Sequence, residues 1–159
     1  MNFLFIIFLT AISGTMIGLF FYKRQKARLD YFYDLCGLIN VLILDVRFRQ
    51  DRLHAVMTEY LSDCKSELKN HIELFLSNVG KGELNFSPNV LKKSELFRVN
   101  RFFLSLGRTD SGTQLLELDG YKMEFSQDLS KVKQRHDSYG TLFIKLGFAL
   151  GLGVGILFV

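Results

Sequence analysis

The feature that most constrains this chain is the absence of charge at its two ends. No residue from Asn2 to Tyr22 is charged, and none from Leu146 to Val159. All sixteen acidic residues lie between Asp30 and Asp137. The first apolar run is 21 residues long. As a helix it reaches roughly 31 Å, which matches a hydrocarbon core of about 30 Å. A cleaved signal peptide would carry a basic leading region, a shorter apolar core and a small-residue cleavage site. Here nothing basic precedes the run, and Ala11-Ile12-Ser13-Gly14 leads into further apolar residues. Residues 1–22 therefore read as an uncleaved transmembrane helix.

Lys23, Arg24, Lys26 and Arg28 follow that run directly, and Lys131, Lys133 and Arg135 precede the second one. The side richer in Lys and Arg stays in the cytoplasm. The expected topology puts residues 23–138 in the cytoplasm and both termini on the far side. The second span is less regular. Leu146 to Val159 is 14 residues, about 21 Å of helix and too short alone. Extended back to Tyr139 it has 21 residues and includes Lys145, whose ammonium can snorkel to the headgroups. Residues 139–159 are the expected C-terminal transmembrane helix, one that just spans or ends within the outer leaflet.

The net charge of +4 does not signal nucleic acid. Setting aside the basic residues of the 23–28 cluster and Lys145 leaves fifteen basic residues against sixteen acidic ones. The positive excess is a membrane-flanking feature suited to anionic headgroups. Cys36 and Cys64 are the two cysteines. A reducing cytoplasm keeps both as thiols, and Cys36 falls on an apolar helical face.

The middle reads as all-α, a helical bundle. There is one Pro and no useful run of apolar–polar alternation. Leu29, Phe32, Leu35, Cys36, Ile39, Leu42, Ile43 and Val46 recur at three- and four-residue steps, marking an amphipathic helix that continues the first span. A second helix is expected over Asp51–Tyr60. A third covers Glu67–Asn78, with Leu68, Ile72, Phe75, Leu76 and Val79 on one face. Gly80-Lys81-Gly82 ends it, and Ser87-Pro88 starts a short one. Ser94 caps the next, which runs to Leu106. A last long helix starts near Ser111 and passes through His136 into the second span.

Gly147, Gly151 and Gly155 recur every four residues, with Ala149 and Gly153 on a neighbouring stripe. Gly14 and Gly18 repeat the spacing in the first span. Small residues so placed let helix backbones approach closely in lipid, either against each other or against other subunits. The sharpest local string is Leu106-Gly107-Arg108-Thr109-Asp110-Ser111-Gly112-Thr113-Gln114. It reads as a helix–turn–helix corner, with Gly107 closing one helix, and Ser111 and Gln114 at capping-box spacing. Asp110 suits the dipole of the next helix. Arg108 and Asp110 are the charges a partner would read. His54, Cys64 and His71 match no zinc spacing. Asp63 and Glu67, one helical turn apart, suit a solvated face. No nucleophile elbow, phosphate loop or HExxH string occurs, so nothing asks for catalysis, cofactor or metal.

Together these features resemble the stage III sporulation protein AB family of endospore-forming bacteria. The Leu106–Gln114 string is similar to the family's leucine-glycine, small residue-aspartate and glutamine signature. Lys145-Leu146-Gly147 with Gly151 is similar to its closing segment. Asp45-Val46-Arg47-Phe48 with Leu53 lies where the family has glutamate, isoleucine, tyrosine and a Pro-Leu pair, and Arg52 replaces that proline. Gly80 to Lys93 matches poorly. The resemblance implies a membrane-anchored scaffold, not an enzyme, in the channel complex joining mother cell and forespore. It also implies a soluble part similar to the inner-membrane platform domains of type II secretion and type IV pilus systems. The implied partners are a cytoplasmic hexameric ATPase and other membrane proteins of the channel. Candidate contact residues are Gly107, Arg108, Asp110 and Gln114, with the basic collar at Lys23, Arg24, Lys26 and Arg28. The expected location is the mother-cell side of the outer forespore membrane. The alternatives are a pore-forming or a lipid-acting membrane protein unrelated to sporulation.

Overall fold

The computed structural model describes residues 2–49, 52–78 and 90–157, with the backbone alone at 2–4, 6 and 49. The described residues form α1 (Asn2–Leu44), α2 (Leu53–Asp63), α3 (Leu68–Ser77), α4 (Lys93–Ser105) and α5 (Ser111–Leu157), with no strand. A π-helical turn, Asp45–Arg49, continues α1. The expected breaks at Gly80–Gly82 and Ser87–Pro88, and the apolar position Val79, lie outside the described residues. The chain divides into two compact units: Met1–Leu29 with Lys131–Val159, and Asp30–Ser130. Helices α1 and α5 contribute to both.

The first unit is an antiparallel helix pair whose register is set by glycine. A side chain at Gly14 would run into the Gly147 carbonyl, and one at Gly151 into the Thr10 carbonyl and, at 2.9 Å, the Ala11 Cα. Gly155 sits against Ile7, with 3.0 Å from its would-be Cβ to the Ile7 Cα. Gly18 faces Phe143 and Ile144. The three-glycine stripe of α5 therefore lies on the α1 backbone, and Gly153 faces open space. Two hydroxyls bond within their own helix: that of Thr10 donates to the Ile7 carbonyl at 3.0 Å and that of Thr15 to the Ala11 carbonyl at 2.7 Å. Local back-bonding of this kind suits an apolar helix, because it needs no outside partner. Phe5, Phe8, Met16, Phe20, Leu150 and Ile156 point outward. So large an apolar surface marks contact with something other than water. Among the described residues α5 alone is a helix long and apolar enough to cross a membrane. The first expected span is partly formed by side chains outside the described residues.

The second unit is the helical bundle. Tyr31, Phe32, Leu35, Leu38, Ile39 and Leu42 of α1 are buried on several sides at once. Tyr31 meets α3, where its hydroxyl lies 2.9 Å from His71 Nδ1. Phe32 meets Phe125 of α5. Tyr60 of α2 lies over Gly37, where a Cβ would come within 2.6 Å of the phenol oxygen, and donates to the Asp34 carbonyl at 2.7 Å. Phe102 packs edge-on against Phe103, Tyr121 and Phe125, which ties α4 to α5. Each such phenyl, fully buried, contributes about 2–3 kcal/mol from area alone. Arg98 reinforces this pair through Glu124 at 2.8 Å and Asp128 at 2.6 Å.

Several boundaries differ from expectation, each for a local reason. Helix α2 runs to Asp63, and the chain then turns. The Asp34 carboxylate accepts the Ser66 N–H at 3.2 Å and the Cys64 thiol at 3.5 Å. Asp63 and Glu67 therefore flank a turn and do not share one helix face. Burial pushes the Cys64 and Cys36 thiols up, and both cysteines are unbridged. Ser94 is not the cap of α4. The helix begins two residues earlier than that cap implies, at Lys93, with the Glu95 carboxylate accepting the Lys92 N–H at 3.0 Å.

His71 is fully buried and stacks on Phe103 with centroids 4.5 Å apart. Burial lowers its pKa to about 4, although a hydrogen bond with Asn100 works the other way. The unfolded chain takes up this proton near pH 6.5, before the folded one does. Stability is therefore complete above about pH 6.5 and is lost as pH falls towards about 4, by up to ~3 kcal/mol. Urea or SDS titration of the solubilised protein checks this: His71→Gln flattens the acid-side loss. At the glycine seam, Gly151→Leu should cost about 1–3 kcal/mol by overpacking. Gly153→Leu, which meets nothing within 4 Å, leaves the SDS unfolding midpoint unchanged.

Candidate docking site at the helical corner

The corner between α4 and α5 is built by two local devices. Gly107 adopts φ +72°, a left-handed conformation that side-chain-bearing residues disfavour by about 1–2 kcal/mol. The N–H of Leu106 bonds back to Phe103, and that of Arg108 to Ser105. The next helix is capped by Asp110, not by Ser111. The Asp110 carboxylate accepts the Thr113 N–H at 3.2 Å, and its carbonyl accepts the Gln114 N–H at 2.8 Å. The expected frame is therefore shifted by one residue. A carboxylate satisfies the same orphan N–H groups as a hydroxyl and also meets the helix dipole. Hydrogen bonds from the Thr113 side chain and backbone hold the Asp110 carboxyl below its usual range. Arg108 and Asp110 are exposed at the tip, and Gln114 is half-buried.

The tertiary structure brings this corner to the π-helical turn. Leu42, Asp45, Val46 and Leu53 line one face of a pocket of about 340 Å³, and Gly107, Thr109, Ser111 and Gln114 line the other. Two of the three strings that carry the resemblance thus meet, although they are far apart in sequence. Asp45 is 7% exposed and also lines a neighbouring cavity of about 310 Å³ with Val41, Leu44, Val56, Glu59, Tyr60 and Asp63. The extra residue of a π turn re-aims the side chains that follow it, and such turns are frequent at functional sites. Leu44 and Phe48 stand exposed beside it. Arg47 reaches Asp119 of α5 at 3.5 Å, a half-exposed pair of small energetic weight. The Thr109 hydroxyl oxygen is buried, with no hydrogen-bond partner among the described residues.

The other expected site residues lie elsewhere. Lys23, Arg24, Lys26 and Arg28 are on α1 in the helix-pair unit, as Gly147, Gly151 and Gly155 are on α5. His54, Cys64 and His71 bond to Thr58, Asp34 and Tyr31 respectively. Among the described residues no group of three or more His, Cys, Asp or Glu is arranged to hold a metal ion. Asp45 and Thr109 fall within the strings that carry the resemblance, but neither is among the expected contact residues. The available signal was an acid inside the apolar run Leu42-Ile43-Leu44-Asp45-Val46, where periodicity calls for a core residue.

Two substitutions of glycine by alanine should have opposite signs. Gly107→Ala should destabilise by about 1–2 kcal/mol, because alanine resists positive φ. Gly120→Ala should stabilise by roughly 0.5–1 kcal/mol, because it sits within α5 with nothing within 4 Å of a new Cβ. Denaturant midpoints of the solubilised protein measure both.

The family model described as stage III sporulation protein AB matches residues 3–159. No curated protein and no solved structure matches the chain.

Proposed function

Because the chain belongs to the stage III sporulation protein AB family, and so has a role in sporulation, we propose that it is a membrane-anchored scaffold of the channel complex between mother cell and forespore. Residues 1–22 and 139–159 are its transmembrane anchors in this reading. Residues 23–138 lie on the cytoplasmic, mother-cell side of the outer forespore membrane, as the Lys and Arg flanks favour. The bundle docks a cytoplasmic hexameric ATPase and positions it against the membrane components of the channel. The family is not a known enzyme family, and this reading assigns the chain no chemistry of its own.

The observation that carries the proposal is the pocket shared by the corner and the π-helical turn. It is open at the surface and has a buried carboxylate, an unsatisfied buried hydroxyl and a half-buried amide at hand. Arg108 and Asp110 stand at its edge as charges a partner can read. The unmet Thr109 hydroxyl favours a polar segment of another protein, because pairing recovers the cost of leaving it unmet. The exposed Leu44 and Phe48 supply the apolar part of such a contact.

The experiment is a pull-down with detergent-solubilised full chain as bait and the family's hexameric ATPase, with and without nucleotide, as prey. Capture by the native chain is expected. Arg108→Glu combined with Gln114→Ala should reduce it at least tenfold, a loss of about 1.4 kcal/mol or more, with helix content unchanged. Absence of capture by the native chain in every nucleotide state sinks the docking role.

A further inference from the structure

The helix pair assembles two basic clusters that are far apart in sequence into one collar. Lys23, Arg24, Lys26 and Arg28 lie on α1, and Lys131, Lys133 and Arg135 on α5. The pair runs antiparallel, with Gly18 against Phe143, and Tyr22 against His136 (ring centroids 5.3 Å apart) and Gly140. This register places both clusters at the same level, immediately beyond the apolar part of the pair. Gln25 and Arg28 from α1 and Val132 and Arg135 from α5 line one small cavity of about 50 Å³. Phe20 and Phe21 on one helix, and Tyr139 and Leu142 on the other, stand exposed just beyond this level.

The charge balance is lopsided. Residues 23–29 and 131–137 hold seven cations and one carboxylate, Asp137, while the rest of the chain has thirteen basic and fifteen acidic residues. The whole positive excess of the protein is concentrated here. Arg24 and Arg28 also interact within the protein, but one carboxylate cannot offset seven cations. A guanidinium binds a phosphate oxygen pair through two parallel N–H groups. Two arginines from different helices around one cavity suit a phosphodiester. The adjoining exposed aromatic and aliphatic side chains suit acyl chains, as aromatic belts do at membrane interfaces.

We propose that the Arg28–Arg135 cleft is a binding site for the headgroup of an anionic phospholipid, with the flanking lysines as its electrostatic rim. The inference stands apart from the docking role, since it concerns the helix pair and not the corner. Inorganic phosphate shares the charged chemistry but lacks the acyl chains that the neighbouring apolar surface takes up.

Native mass spectrometry of the full chain in detergent, titrated with phosphatidylglycerol or phosphatidylcholine, tests this directly. Retention of phosphatidylglycerol over phosphatidylcholine is expected, weakening with salt. Arg28→Gln with Arg135→Gln should lower that selectivity by about fivefold per charge removed. Arg47→Gln with Arg52→Gln, outside the collar, should leave it intact. Should the collar variant lose its helix content, Arg28→Lys with Arg135→Lys is the substitute. It keeps the charge but not the fork, and is expected to retain the salt dependence with weaker selectivity. Equal retention of both lipids, or undiminished selectivity in a folded collar variant, overturns the proposal. Displacement of the lipid by millimolar inorganic phosphate assigns the site to a soluble anion and overturns the lipid.

Discussion

The bundle depends on one stretch of α1 being buried from several directions at once. Tyr31 and Phe32 are neighbours in sequence, yet one meets His71 of α3 and the other Phe125 of α5. Three residues further on, Asp34 takes up α2 through the Tyr60 hydroxyl and the α2–α3 turn through Ser66. An amphipathic helix buries one stripe; here that stripe is broad, and only Tyr33, Asn40 and Leu44 of residues 31–44 are exposed. Loss of any one neighbour exposes a wall of the same core. Large-to-small changes at Phe32, Phe102 or Phe125 therefore fall in the range of about 3–5 kcal/mol seen for buried aromatics.

That arrangement explains the polar groups in the interior. Tyr31, His71 and Asp34 are expensive to bury unless bonded. Each is bonded across elements, so each fixes a register that apolar packing leaves free. Burial lowers the His71 pKa and raises those of Tyr31 and Tyr60, which keeps all three neutral near pH 7.

The same two helices, α1 and α5, contribute to both units. In one unit they present apolar side chains outward and meet through glycine. In the other they belong to a core with charged residues outside. The collar of lysine and arginine falls at the end of the apolar stretch.

Much of this was legible in the amino-acid sequence. The uncharged ends, the basic flanks and the three- and four-residue periodicity already specified an all-helical chain with apolar termini, because these are local patterns that one helix expresses alone. Gly107 announced a helix end for the same reason. The caps were legible only to within a residue: Ser111 and Asp110 both suit the role, and hydrogen-bond geometry chose the carboxylate. Tertiary structure alone decided that Leu38 and Tyr31 join the core, since their burial needs partners from other helices. It also decided that Asp45 and Leu53 share a pocket with Gly107 and Gln114, and that Arg28 and Arg135 line one cavity. Those encounters depend on how helices pack. Packing follows from shape complementarity summed over many side chains, which no single segment of the sequence contains.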